Sequence, residues 1–79
     1  MFLEILTPTE KLFEGDIYLV KVPGSKGSFE VLKKHAPIIS SLDPGKIKVI
    51  TTNGEEKFFD IKRGFIEVNN DKINIVATI

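Results

Sequence analysis

Residues 46–62 have the sequence KIKVITTNGEEKFFDIK, in which two segments flank the dipeptide Asn53-Gly54. From Lys46 onward charged and apolar residues alternate, as in a β-strand with one face in solvent. Asn and Gly tolerate the positive φ angles that a two-residue hairpin loop requires at both central positions. The stretch therefore predicts a β-hairpin in which Lys46–Thr52 pairs with Glu56–Lys62.

Similar apolar segments recur through the rest of the chain at intervals of about eight to ten residues, separated by turn residues. The chain has eleven Ile, six Val and six Phe but two Ala, which favours strands over helices. Asn70-Asp71 is a weaker candidate for a second hairpin loop. The sequence predicts an all-β sandwich or barrel. Its further strands are Phe2–Thr7, Asp16–Val22, Ser28–Leu32, Ile38–Leu42, Gly64–Val68 and Lys72–Ala77.

The segment Thr9–Glu14 has two interpretations, a single helical turn or a strand of its own. Thr7 and Glu10 have the spacing of a helix capping box. Gly15 follows at once, and so short a segment does not make a stable helix. Both interpretations remain open at the level of sequence.

Length and charge limit the classes of protein. The chain has 79 residues and a mass of 8.8 kDa, so we expect one small domain over residues 1–79. Eleven Lys and Arg balance eleven Asp and Glu, which argues against binding to a nucleic-acid backbone. No apolar run approaches the roughly 18 residues of a membrane span. We expect a soluble, intracellular protein with no direct membrane insertion.

Residue types that carry chemistry are scarce. His35 is the single histidine and there is no cysteine, which excludes disulfides, thiolate metal sites and a cysteine nucleophile. Residues 24–28, Gly-Ser-Lys-Gly-Ser, superficially resemble a phosphate-binding loop but lack the spacing of that motif. We therefore expect no catalytic residue, no cofactor and no metal site.

Several residues point instead to contacts with other proteins. Phe58 is an apolar residue on the same strand face as Asp60 and Lys62. Three lysines, opposed by Glu30, make the region from residue 24 to 35 locally positive. Three bulky residues, Ile38, Ile39 and Leu42, follow Pro37, and they belong either to an interface or to the core.

From the residues alone, two classes of function stay open. One is a small β-domain that binds a protein or a nucleic acid. The other is a small enzyme, which would need convergent polar side chains in a concave pocket. One histidine and no cysteine supply such a pocket poorly, so the binding module is favoured.

Four segments in order resemble the epsilon subunit of bacterial rotary ATP synthases, which is called delta in mitochondria. They are Thr7–Gly27 (TPTEKLFEGDIYLVKVPGSKG), Phe29–Leu42 (FEVLKKHAPIISSL, around His-Ala-Pro), Asp43–Ile47 (DPGKI) and Gly64–Val68 (GFIEV). The last predicted strand also matches the last strand of that family's β-domain. Each motif is weak alone, but their order and spacing hold over nearly the whole chain.

The resemblance implies a ten-stranded β-sandwich made of two five-stranded sheets. It also implies a non-catalytic rotor subunit in the central stalk, which links the gamma subunit to the membrane c-ring and helps couple ion-driven rotation to ATP synthesis. Its expected location is the cytoplasmic side of the bacterial inner membrane. The family usually continues into a C-terminal pair of helices, which these 79 residues do not include.

The resemblance further assigns two groups of interface residues. The expected contacts with gamma are Thr7, His35, Ala36, Pro37, Ile38, Ile39 and Leu42. The expected contacts with the c-ring are Gly24, Ser25, Lys26, Gly27 and Ser28. This chain departs from the family at Ser28, where a carboxylate facing the c-ring is common, and at Lys33-Lys34, where Pro-Gly is common.

Overall fold

The computed structural model describes all residues from 1 to 79, and every regular element in it is a β-strand. The eight strands are β1 (Phe2–Leu6), β2 (Lys11–Val22), β3 (Phe29–Val31), β4 (Ile38–Leu42), β5 (Gly45–Thr51), β6 (Glu56–Ile61), β7 (Arg63–Asn69) and β8 (Lys72–Thr78). The expectation of an all-β fold is confirmed, and each predicted strand is present. The structure contains no helix long and apolar enough to cross a membrane.

The strands form a single curled sheet in the order β4-β7-β8-β1-β2-β5-β6, with β3 paired to β2 beside this path. Most pairs are antiparallel, but β1 and β8 run parallel. β2 is 12 residues long and belongs to both layers of the sandwich. Its first half pairs with β1, and its second half pairs with β3 and β5.

The expected strand number is not confirmed, since the chain forms eight strands and not ten. When the two halves of β2 are counted separately, one layer contains β4, β7, β8, β1 and β2. The other layer contains β3, β2, β5 and β6. One long strand bends from the first layer into the second, which accounts for one of the two missing strands. In addition, residues 23–25 meet the end of β4 through an isolated bridge and form no strand of their own.

Of the two interpretations of the segment Thr9–Glu14, the strand is correct, because β2 begins at Lys11. The Thr7 hydroxyl accepts a hydrogen bond from the Glu10 backbone N–H at 3.0 Å, as a capping box would have it. This contact closes the turn between β1 and β2, and no helix follows it. The register of β2 against β5 shifts between Ile17 and Leu19, where the strand passes from one layer to the other.

Both predicted hairpins are present. β5 pairs with β6 across Asn53-Gly54, and β7 pairs with β8 across Asn70-Asp71. The first loop differs from the expected two-residue turn: the Gly54 N–H donates to the Thr51 carbonyl, and φ is positive at Gly54 but not at Asn53. This is a three-residue loop with a left-handed residue at its end.

The core is aliphatic and is shared by both layers. Fifteen buried residues form one cluster, which includes Leu3 and Ile75 from the first layer and Ile47 and Val49 from the second. Aromatic rings lie at its border, where Phe13 and Phe59 meet edge to face with their ring centres 6.1 Å apart. The two layers are therefore held to each other by continuous apolar packing.

Candidate functional site

Residues from both predicted interfaces line one groove of about 540 Å³ at the β4 edge of the sheet. One wall is the loop that precedes β3, and the other is β4 with the segment before it. Its lining residues are Lys26, Gly27, Ser28, Phe29, His35, Ile38, Ile39, Ser40 and Ser41. Phe29, Ser40 and Ser41 were not singled out by sequence reasoning, because their position in the groove depends on contacts between distant segments.

The loop before β3 is fastened to β4 by its backbone. The Ser25 N–H donates to the Ser41 carbonyl at 3.0 Å, and the Asp43 N–H donates to the Pro23 carbonyl at 2.8 Å. The Ser25 hydroxyl also donates to the Asp43 carboxylate at 3.0 Å. The backbone groups of this loop cap the edge of β4. The similarity of its sequence to a phosphate-binding loop therefore has a structural cause.

Glycine is needed twice in this loop for steric reasons. A Cβ on Gly24 would lie 2.6 Å from the Gly27 carbonyl oxygen and 2.8 Å from the Phe29 ring. Gly27 has a φ of 122°, which side chains with a Cβ rarely adopt. Gly24 is buried and does not line the groove, so the exposed part of the expected c-ring segment is Ser25–Ser28.

β4 separates the three bulky residues that sequence left undecided. Ile39 is 74% exposed, Ile38 is half-buried against the core, and Leu42 is 3% exposed within it. Leu42 therefore belongs to the core, and its side chain is not available to a partner. The reason is strand alternation together with the sheet's curvature, which brings the last residue of β4 over the core.

His35 and the two lysines before it form a tight turn at the end of the groove. The His35 N–H donates to the Leu32 carbonyl at 3.1 Å, and His35 Nδ1 lies 2.7 Å from the Ala36 carbonyl oxygen. Lys34 has a φ of 67°. The backbone there adopts the left-handed conformation that the common Pro-Gly pair would allow, although this chain has no glycine at that point.

Charge on the loop side of the groove is uncompensated. The five ion pairs of the protein involve other groups, and none includes Lys26, Lys33 or Lys34. Elsewhere, Lys11 contacts Glu14 at 3.0 Å and Glu4 at 3.2 Å, and these hydrogen bonds raise the pKa of Lys11 above its ordinary value. Of these three lysines Lys26 alone lines the groove, which therefore carries one unpaired positive charge.

Two other predicted surface residues lie outside the groove. Thr7 uses its hydroxyl inside the turn between β1 and β2, where it accepts from the Glu10 N–H and donates to the Glu10 carbonyl. Phe58 is 53% exposed, and the Lys46 ammonium nitrogen lies 5.9 Å from its ring centre. The exposure expected for Phe58 is confirmed.

A second apolar patch was missed by sequence reasoning. Phe65 and Val76 are partners across β7 and β8 and are 49% and 37% exposed. With Pro8 and Gly64 they line a shallow concavity of about 250 Å³. The alternation of Phe65 with the buried Ile66 was the available signal, because it assigns Phe65 to the outer face. No group of three or more His, Asp or Glu side chains is arranged to hold a metal ion.

Comparisons with known proteins agree on one family. Residues 1–79 match the family model described as the β-sandwich domain of the ATP synthase delta/epsilon chain. The ATP synthase epsilon chain of Protochlamydia amoebophila is 44% identical over 75 residues, which are 95% of this chain and 51% of that protein. The epsilon chain of Chlorobaculum tepidum is 41% identical over 70 residues, which are 89% of this chain and 80% of that protein.

Solved structures show the same fold. A chain of the Euglena gracilis mitochondrial ATP synthase superposes with a TM-score of 0.91 at 22% identity, over 98% of this chain and 49% of that chain. A chain of the Tetrahymena thermophila mitochondrial ATP synthase central stalk and c-ring superposes with a TM-score of 0.82 at 20% identity, over 100% of this chain and 63% of that one. This chain spans about half the length of several of its relatives.

Proposed function

This chain belongs to the ATP synthase delta/epsilon chain family, and from that premise we propose that it is a non-catalytic subunit of the central stalk of a rotary ATP synthase. The observation that carries the proposal is the match of all 79 residues to the family's β-sandwich domain. Relatives named ATP synthase epsilon chain align over nearly the whole chain at about 40% identity. Structural neighbours at lower identity support the fold.

The proposed role is mechanical. The subunit links gamma to the loops of the c-ring and helps couple ion-driven rotation of the ring to ATP synthesis. A small sandwich whose two layers share one core suits such a link, because close-packed interiors transmit strain. Its proposed place is peripheral, on the cytoplasmic side of the bacterial inner membrane.

We assign the contact with gamma to His35, Ala36, Pro37, Ile38 and Ile39. Leu42 drops out because its side chain is buried, whereas Thr7 lies outside the groove and stays an expected contact. The contact with the c-ring is assigned to the neighbouring segment Ser25–Ser28. The two proposed contacts are adjacent, since residues of both groups line the same groove.

Energetics single out Ile39 as the main contributor to gamma binding. Burying one Ile side chain against a partner is worth about 1.5–3 kcal/mol, whereas an exposed ion pair is worth about 0–1 kcal/mol. Ile39 exposes 74% of its surface in the isolated chain and has most of this area left to bury. Its interactions within the fold are few, so its substitution tests the interface without removing core packing.

The experiment is co-purification and titration with the gamma subunit of the same complex. We expect the unaltered chain to bind gamma, Ile39→Asp to bind at least about ten-fold more weakly, and Lys26→Ala to lose much less. Thermal melting of both variants serves as the control for folding. Full-strength binding by a folded Ile39→Asp variant would place the interface elsewhere, and no binding by the unaltered chain would refute the proposed partner.

A further inference from the structure

β4 lies at one end of the strand order, so one of its edges has no neighbouring strand along its first residues. Its sequence is Ile38-Ile39-Ser40-Ser41-Leu42, without a charged residue. The opposite end of the sheet is β6, which contains Glu56, Lys57 and Asp60. Natural proteins usually protect a free edge with charges, bulges or a covering segment. The β4 edge has a cover along its second half alone, from residues 23–25.

The hydrogen bonds of that cover fix the direction of the remaining backbone groups. The Ser41 carbonyl and the Asp43 N–H point outward, because they bond to Ser25 and Pro23. Backbone groups of successive residues in a strand point to opposite edges, so Ile39 points outward as well. Its N–H and C=O therefore face the groove, and neither has a backbone partner there.

The surroundings of this open backbone select the kind of segment that fits it. Lys26 and His35 line the groove, whereas Lys33 lines a separate concavity with Tyr18 and Asp71, and Lys34 lines neither. None of the three lysines is engaged in an ion pair. An added strand in this place would meet positive charge on the loop side and the exposed Ile39 side chain, and it would have to supply acidic residues to match.

We propose that an extended, acidic segment of gamma adds to the outer edge of β4 as a further strand, bonded through its backbone to the N–H and C=O of Ile39. This proposal rests on the proposed function, because it names how the partner engages the same site. Strand addition derives affinity from main-chain hydrogen bonds and specificity from the side chains beside them. It makes the Ile39 backbone, in addition to its side chain, part of the interface.

The test distinguishes the contribution of the Ile39 backbone to binding from that of its side chain. For this purpose the chain is synthesised chemically with a methyl group on the backbone nitrogen of Ile39. This change removes one outward N–H and obstructs the edge, while the isoleucine side chain stays. The matched control is N-methyl-Phe58 on the other free edge. In the hairpin of β5 and β6, the Thr51 N–H donates to the Glu55 carbonyl. Backbone groups of every second residue in a strand point to the same edge, so those of Val49 and its partner Lys57 point toward each other. The backbone groups of Phe58 therefore point to the free edge of β6.

We expect N-methyl-Ile39 to melt like the unmodified chain and to bind gamma about ten-fold more weakly or worse, whereas N-methyl-Phe58 binds normally. The Ile39 amide should also become protected from hydrogen exchange when gamma is added. Lys26→Glu should weaken binding, and added salt should weaken the unmodified complex.

Each outcome decides a separate point. Normal binding by folded N-methyl-Ile39, or an Ile39 amide that still exchanges in the complex, overturns strand addition and leaves gamma as the partner. Charge reversal without effect overturns the acidic character of the segment. Failure of the unmodified chain to bind gamma refutes the proposed partner and, with it, this mode of binding.

Discussion

At the scale of single residues, the proposed contact with gamma depends on which side chains of β4 are exposed. The strand presents Ile39 to solvent and Leu42 to the core, although the two residues are chemically almost equivalent. Burial, and not hydrophobicity, thus distinguishes a residue that is available to a partner from a core residue. The same distinction predicts opposite responses to one substitution.

Leu42→Asp should unfold the domain, whereas Ile39→Asp should change its stability little. An unpaired charge in the core costs several kcal/mol, and a domain of this size has a total stability of about 4–12 kcal/mol. Urea unfolding followed by circular dichroism measures both. A cooperatively folded Leu42→Asp variant would contradict the burial of that side chain.

Lys34 offers a second prediction at this scale, because its φ of 67° is unfavourable for a residue with a Cβ. Lys34→Gly should stabilise the fold by about 0.5–1 kcal/mol, since glycine adopts this conformation without strain. Lys33→Gly is the matched control and should be neutral or destabilising. A lower melting temperature for Lys34→Gly than for the unaltered chain would count against the left-handed turn.

At the scale of elements, the loop between β5 and β6 shows which features of a turn a dipeptide motif predicts and which it does not. Asn53-Gly54 correctly predicts where the chain reverses. The loop nevertheless has three residues, because the Thr51 hydroxyl accepts from the Glu55 N–H at 3.1 Å and Gly54 alone adopts a positive φ. Side-chain support from the preceding strand therefore selects the turn type.

Gly54→Ala should destabilise the protein by about 1–2 kcal/mol, because its φ of 86° is strained for alanine. Asn53→Ala should cost much less, since Asn53 has an ordinary φ. Denaturant midpoints of the two variants provide the comparison. Equal losses at both positions would instead indicate the two-residue turn that the sequence suggested.

At the scale of the whole molecule, the surface supports protein contacts better than small-molecule chemistry. The largest groove is lined by backbone edges, the exposed Ile39 and the unpaired Lys26, and the loop that resembles a phosphate motif is bonded to β4. No helix is present whose N-terminus could bind phosphate. These features fit the proposed contacts with partners along one edge of the sheet.

We accordingly expect that this 79-residue chain neither hydrolyses ATP nor binds it tightly. Isothermal titration with ATP should show no saturable binding in the micromolar range, and a phosphate-release assay should stay at background. A lysozyme-sized unrelated protein in the same buffer controls for heats of dilution. Saturable micromolar binding would mean that the groove beside Lys26 forms a nucleotide site.

Local patterns in the sequence determined the strands, the two hairpins and the exposure of Phe58, because alternation and turn chemistry act between neighbouring residues. The family resemblance added the proposed function and the two expected groups of interface residues. It led to an excess of strands, because the continuity of β2 through both layers depends on its pairing with β1, β3 and β5.

Tertiary structure alone decided which parts of β4 are open. Whether Ile39 or Leu42 faces the core depends on the register of β4 against β7 and on the loop at residues 23–25, which is distant in sequence. The same long-range contacts bring Lys26 and His35 to one groove and leave the Ile39 backbone without a partner. Sequence periodicity describes each strand by itself, whereas burial and free edges arise when strands from distant parts of the chain pair.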